Sequence, residues 1–70
     1  MQKLSKAAIG RSYTIQWMVG VPGVMDFLRE HHVEEGDNIQ IIRKLKDALI
    51  VGVKGSRFAM GNEIADRIQV

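Results

Sequence analysis

The pattern of the chain begins with an alternation. From Ser12 to Val19, Tyr13, Ile15 and Trp17 take one side and Thr14, Gln16 and Met18 the other. A two-residue period over β-branched and aromatic side chains predicts a strand, and Gly10 predicts the turn that feeds it. Val19-Gly20-Val21-Pro22-Gly23 reads as a loop. Beyond it the period changes. Val24, Phe27, Leu28 and His31 stand at i, i+3, i+4 and i+7, one stripe of an amphipathic helix of about two to three turns. Arg29 and Glu30 take its wet side, and Gly36 turns the chain after Glu34-Glu35.

Alternation returns from Asn38 to Leu45, with Ile39 and Ile41 facing one way and Gln40 and Ile42 the other. Lys46-Asp47 serves as a two-residue hairpin turn, although neither is the glycine such turns favour. Ala48 to Lys54 is the most continuous apolar run and predicts the most buried strand. Gly55-Ser56 predicts a second turn, and Arg57 to Met60 a fourth short strand. Gly61-Asn62-Glu63 opens a helical turn with Asn62 as its N-cap. Ile64, Ala65 and Ile68 face inward, and Val70 ends in a short strand beside the first. Short strands on short turns, with one helix between them, predict a mainly β protein: a small antiparallel barrel, whose closure removes edges that could aggregate.

Seventy residues hold one thin core, so a single domain over residues 1–70 is expected. The mix of 46 % hydrophobic and 26 % charged residues excludes disorder. The absence of cysteine removes disulfides, thiolate metal sites and a cysteine nucleophile together. The longest uncharged run, Ser12 to Met25, is broken by Gly20, Pro22 and Gly23 and falls short of the roughly 20 residues a spanning helix needs. No membrane insertion is expected. Residues 1–10 lack the apolar stretch of a secretory signal, so a cytoplasmic protein is expected.

Charge is arranged in blocks. Residues 1–25 carry Lys3, Lys6 and Arg11 and no acid. Asp26, Glu30, Glu34, Glu35 and Asp37 follow against Arg29 alone; then Arg43, Lys44, Lys46, Lys54 and Arg57 stand against Asp47 alone. The net charge is only +2, which permits a nucleic-acid-binding barrel using the basic hairpin without implying one. Such a barrel needs aromatic platforms beside its cations, and only Phe58 lies near this block, so nucleic acid is not the expected partner.

No serine sits in a nucleophile elbow, and no phosphate-binding loop or zinc-protease motif is present. The expectation is a protein that is not an enzyme and has no cofactor. His31-His32 is the one metal-like constellation, but neighbours on a helix diverge by about 100°. A weak metal-sensing site would need a carboxylate or a second copy; otherwise His31 caps the apolar stripe and His32 ends the helix. The richest feature is apolar. Trp17, Met18, Val19, Val21, Val24 and Met25 crowd around Gly20 and Pro22, more than so small a domain buries easily. Trp17, Met18, Val21 and Met25 are the expected partner-binding surface, since Trp anchors and Met adapts at interfaces. It would equally serve a homo-oligomer.

Across nearly its whole length the chain resembles the FeoA family of bacterial ferrous-iron uptake. The resemblance rests on the order Leu4-Ser5, Gly10, Tyr13-Thr14-Ile15, Phe27-Leu28, Glu35-Gly36-Asp37, Ile39-Gln40-Ile41-Ile42, the stretch from Ile50 to Gly61 that includes KGSRFAMG, then Glu63-Ile64-Ala65 and Ile68-Gln69-Val70. It implies an SH3-like barrel with one inserted helix and a short C-terminal helical turn. It also implies an accessory role, by protein contact on the cytosolic side, for a FeoB-type membrane transporter of ferrous iron. Similar domains end some metal-dependent repressors, but no helical DNA-binding segment accompanies this barrel, so a repressor is not expected. Gly10, Gly36, Gly55 and Gly61 are the expected shapers of the turns, and Arg57 the brace of the fourth strand. The chain departs from the family at His31-His32, where members carry an apolar residue and a glycine. Glycine would supply a left-handed helix end that histidine tolerates less well, so the helix is expected to end differently or run one residue further.

Overall fold

β3 (Asn38–Lys44) and β4 (Ala48–Val53) form the spine of the molecule, an antiparallel hairpin in which Ile39, Ile41, Leu49, Val51 and Val53 all point inward and are buried. The computed structural model describes residues 1–70. β1 (Ser12–Thr14) pairs with β3, and β5 (Ser56–Gly61) pairs with β4, giving a four-stranded sheet in the order β1-β3-β4-β5. β2 (Trp17–Met18) and β6 (Ile68–Gln69) make a second, two-stranded sheet. α1 (Pro22–Glu30) is inserted between β2 and β3, and α2 (Asn62–Ala65) between β5 and β6. All 13 buried residues are apolar, and no buried side-chain polar atom lacks a partner. The mainly β barrel expected from the alternation is present.

The run from Ser12 to Val19 is not one strand. Its backbone stays extended but changes partners in the middle. The Ile15 amide donates to the Asp37 carbonyl, on the side of the first sheet, whereas the next amide, Gln16, donates to the Gln69 carbonyl of β6. The chain thus turns a barrel corner between two residues, and side-chain alternation cannot reveal a change of hydrogen-bond partner. Ile15, at the corner, is buried, while Trp17 is 41 % exposed.

Two further differences are local. The turn between β4 and β5 is Lys54-Gly55, not Gly55-Ser56, with φ of 52° and 81°. Two positive φ angles in a two-residue hairpin match the twist of the flanking strands. Asn62 is not an N-cap: Gly61 takes that place, and Asn62 is the first helical residue, its amide donating to the Asp47 carbonyl. The C-terminal strand lies beside the Ser12–Val19 run as expected, at its β2 end, with Val70 itself exchanging backbone hydrogen bonds with Gln2. The β3–β4 turn does close around Lys46-Asp47, with the Leu45 amide donating to the Ala48 carbonyl. Ile42, at the register shift of β3, rests half-buried on the outer face.

The N-terminal segment holds core residues that periodicity missed. Leu4, in a short 3-10 turn over Leu4–Lys6, and Ala7 are fully buried, and the Ser5 hydroxyl donates to the Asp66 carboxylate beyond α2.

Candidate functional site

Helix α1 begins one residue after Val21, with Pro22 at its first turn, where the missing amide costs nothing. It therefore starts inside the stretch read as a loop. The connection from β2 to α1 passes close over the helix. A Cβ on Gly20 would meet the Val24 side chain at 2.8 Å, so only glycine fits there without displacement. Leu28 is the buried centre of the inner helical face; Val24, Met25 and Phe27 are half-buried beside it.

The helix ends by a left-handed residue after all, and that residue is His32, at φ 58°. Its amide donates to the Arg29 carbonyl, and the Val33 amide to the Leu28 carbonyl. These two bonds form the Schellman closure of a helix, and Leu28 and Val33 supply the apolar contact that accompanies it. Histidine therefore takes the left-handed conformation that glycine adopts most easily at a helix end, and the expected alternative ending does not occur. Val33 is 3 % exposed and Leu28 1 %, so the helix end is packed and not frayed.

A tight loop follows. The Asp37 carboxylate accepts from the Glu34 amide, and the Gly36 amide donates to the Ile15 carbonyl at φ 92°. The Lys54 ammonium fastens this loop to the β4–β5 turn, lying 3.3 Å from Asp37, 3.9 Å from Glu34 and 3.0 Å from the His32 carbonyl. The Glu35 carboxylate reaches the other way and accepts from the Met18 amide, which β6 leaves free.

Between β2, α1 and this loop lies a groove of about 450 Å³. Met18, Met25, Leu28 and Val33 form its apolar part; Arg29, His32, Glu34 and Glu35 rim it. Arg29 is committed to Asp26 at 2.9 Å, and Glu34 shares the single Lys54 with Asp37, so with Glu35 the rim is left with a net acidic charge. Of the four residues expected to bind a partner, the structure brings Met18 and Met25 together here. Trp17 and Val21 do not line the groove; with Val19 they are exposed, at 41 %, 56 % and 50 %. Sequence reasoning missed Leu28, Val33 and Glu35 as groove residues. The five-residue spacing of Leu28 and Val33 is that of a Schellman contact and was the available signal.

The two histidines do not converge. The His31 ring stacks on Phe58 at 4.1 Å and meets Phe27 at 4.5 Å, while His32 lies exposed on the groove rim. No group of three His, Cys, Asp or Glu side chains gathers anywhere in the molecule. The basic block also divides. Lys54 is engaged at one end of β4, whereas Lys44 and Lys46 stand at the other, with the Lys44 ammonium near the Ser5 carbonyl. Gly10, Gly36 and Gly55 have the positive φ expected of turn-shaping glycines; Gly61 does not. A Cβ on Gly61 would meet only the Glu63 carboxylate, the far end of a flexible side chain that can swing away, so nothing here demands glycine. The Arg57 side chain braces nothing: the residue is exposed, and its guanidinium makes no hydrogen bond or ion pair within the protein.

The mainly β barrel, with α1 inserted between β2 and β3 and a partly apolar groove lined from both β2 and α1, is an SH3-like domain. The model of the FeoA domain matches residues 2–70, and the chain belongs to the FeoA family, which is associated with ferrous iron transport. A crystal structure of an iron uptake regulatory protein, FeoA, superposes with a TM-score of 0.85 at 25 % identity, covering 94 % of this chain and 89 % of that one. FeoA of Stenotrophomonas maltophilia, complexed with zinc and described as a prokaryotic SH3 domain protein, gives 0.84 at 22 % identity over 100 % and 89 % of the two chains. A manganese-dependent transcriptional repressor gives 0.87 at 13 % identity, covering 96 % of this chain but 39 % of that one, a likeness of fold alone. No curated protein matches the chain. No helix is long and apolar enough to cross a membrane.

Proposed function

We propose that this protein is a non-enzymatic, cytoplasmic accessory factor of bacterial ferrous iron uptake, acting as one FeoA-like domain that docks on the cytosolic side of a FeoB-type transporter. The observation that carries the reading is the apolar surface on both sides of β2. Met18 and Met25 open a groove on one side, and Trp17, Val19 and Val21 stand exposed beside it. Contiguous exposed apolar surface is uncommon on a lone small domain and marks contact sites. Trp is the residue most enriched among interface anchors, and Met adapts to the shape it meets. Any influence on nucleotide hydrolysis by the transporter is then exerted through contact.

The test is an amide NMR titration with the soluble cytosolic domain of the transporter from the same organism. Shifts confined to residues 17–25 and 33–35 support docking through this surface. Shifts elsewhere keep the partner and discard the surface, and no shift with the cytosolic domain discards a contact made by that domain alone.

A further inference from the structure

The groove and a side chain suited to fill it lie on the same chain. At the tip of the β3–β4 hairpin Leu45 is 46 % exposed, one of the few large apolar side chains left in water away from the β2 surface. Arg43 and Lys44 precede it and Lys46 follows. The tip is an apolar knob in a basic setting; the groove is an apolar cleft of Met18, Met25, Leu28 and Val33 with Glu34 and Glu35 on its rim. The two surfaces complement each other in hydrophobicity and in charge. They cannot meet within one molecule. The seven residues of β3 run roughly 20 Å from the acidic loop to the tip, nearly the whole 28 Å length of the protein. The hairpin is fixed at both ends, by Asn62 donating to the Lys46 carbonyl and by Lys54 holding the acidic loop.

We propose that a second copy of this chain occupies the groove, its Leu45 seated between Met18 and Met25 and its Lys46 and Arg43 facing Glu34 and Glu35. The contact is head to tail. Each copy keeps a free groove at one end and a free tip at the other, so association propagates instead of closing as a symmetric dimer. One knob and a few rim charges give a weak, salt-sensitive contact that forms at high protein concentration. The inference stands apart from the transporter reading; where both hold, self-association and docking compete for Met18 and Met25.

The test follows the full chain by amide NMR on dilution from millimolar to micromolar concentration. Concentration-dependent shifts are expected at two places together, residues 43–47 and the groove residues Met18, Met25, Val33 and Glu35. Isotope-labelled Leu45→Glu should not self-associate, yet its groove amides should still shift when unlabelled parent protein is added, with residues 43–47 silent. The double variant Glu34→Gln/Glu35→Gln keeps an acceptor for the Met18 amide. When labelled, it should show the reverse: hairpin shifts with parent protein and a groove response reduced several-fold. Native-like spectra of both variants at low concentration establish that they fold. A symmetric dimer would move both regions or neither in labelled Leu45→Glu, and that result overturns the proposal. So does self-association of Leu45→Glu equal to the parent, or a parent spectrum that does not change with concentration.

Discussion

The Lys54 ammonium donates to the His32 carbonyl oxygen at 3.0 Å, and both residues have left-handed backbones, with φ of 52° and 58°. A non-glycine residue in that region is uncommon. Here two of them, one ending α1 and one turning β4 into β5, are joined by a single hydrogen bond. The same ammonium lies 3.3 Å from Asp37, so one side chain ties the helix end, the acidic loop and the hairpin turn together. Of these, the helix end and the loop, His32 to Glu35, line the groove, which links a backbone oddity to the shape of the candidate interface.

His32→Gly should stabilise the protein by about 1 kcal/mol, because glycine adopts the left-handed conformation without the Cβ clash. The gain is partly offset by the extra freedom of glycine in the unfolded chain. Urea denaturation measures it as a higher midpoint with an unchanged slope. A drop in stability would mean that the imidazole makes a contact worth more than the strain.

Replacing Lys54 separates the turn from the tie. Lys54→Ala removes the ammonium and leaves an unfavourable backbone, and should cost about 1 kcal/mol. Lys54→Asn also removes the ammonium but creates the Asn-Gly pair that two-residue hairpin turns prefer. It should therefore be less destabilised than Lys54→Ala, while both show the same increase in amide exchange at Glu34–Asp37. Equal stabilities would assign the whole effect to the tie.

The amphipathic face of α1 and the β3–β4 hairpin were legible because each buries one side of a regular element, and burial writes its period into the sequence. The corner between Ile15 and Gln16 was not, since alternation continues while the hydrogen-bond partner changes sheets. The apolar crowd around Gly20 was legible as surplus, but its division into Met18 and Met25 inside a groove and Trp17 and Val21 outside it depends on where α1 sits. Lys54 looked like one cation of a basic block. Its engagement with a loop some twenty residues earlier is a tertiary contact to which no local pattern points.

Gly20→Ala should cost roughly 1–3 kcal/mol, the range for forcing an extra carbon into a packed site. The new Cβ would meet Val24 atoms at 2.8 and 2.9 Å, and a β-branched side chain cannot swing away as a long one can. Thermal unfolding reads the loss. Gly20→Ala paired with Val24→Ala should recover part of it, since the smaller residue vacates the contact; no recovery would place the strain elsewhere.

Replacing His31, which lies off the groove, by Ala should leave ferrous-iron-dependent transport unchanged in cells. The His31 ring packs on Phe58 and Phe27, so stability should fall by about 0.5–1.5 kcal/mol. Transport lost in a variant that folds as well as the parent would reveal a metal-responsive role for that imidazole.

Trp17→Ala tests the exposed side of the β2 surface. Trp17 is 41 % exposed in a two-residue strand, so removal of its ring should leave the fold intact. As an interface anchor it should carry about 2 kcal/mol, which is roughly a thirtyfold loss of affinity for the transporter's cytosolic domain by calorimetry. Met25→Ala probes the groove instead, and comparing the two divides the surface. If Trp17→Ala binds like the parent and Met25→Ala does not, the groove alone is the docking site, and the exposed tryptophan serves another contact. If both bind normally, docking lies elsewhere and the groove is free for the Leu45 tip of a second copy. A loss in both would make β2 the centre of one continuous interface, with Trp17 and Met18 engaging the partner from opposite faces of the strand.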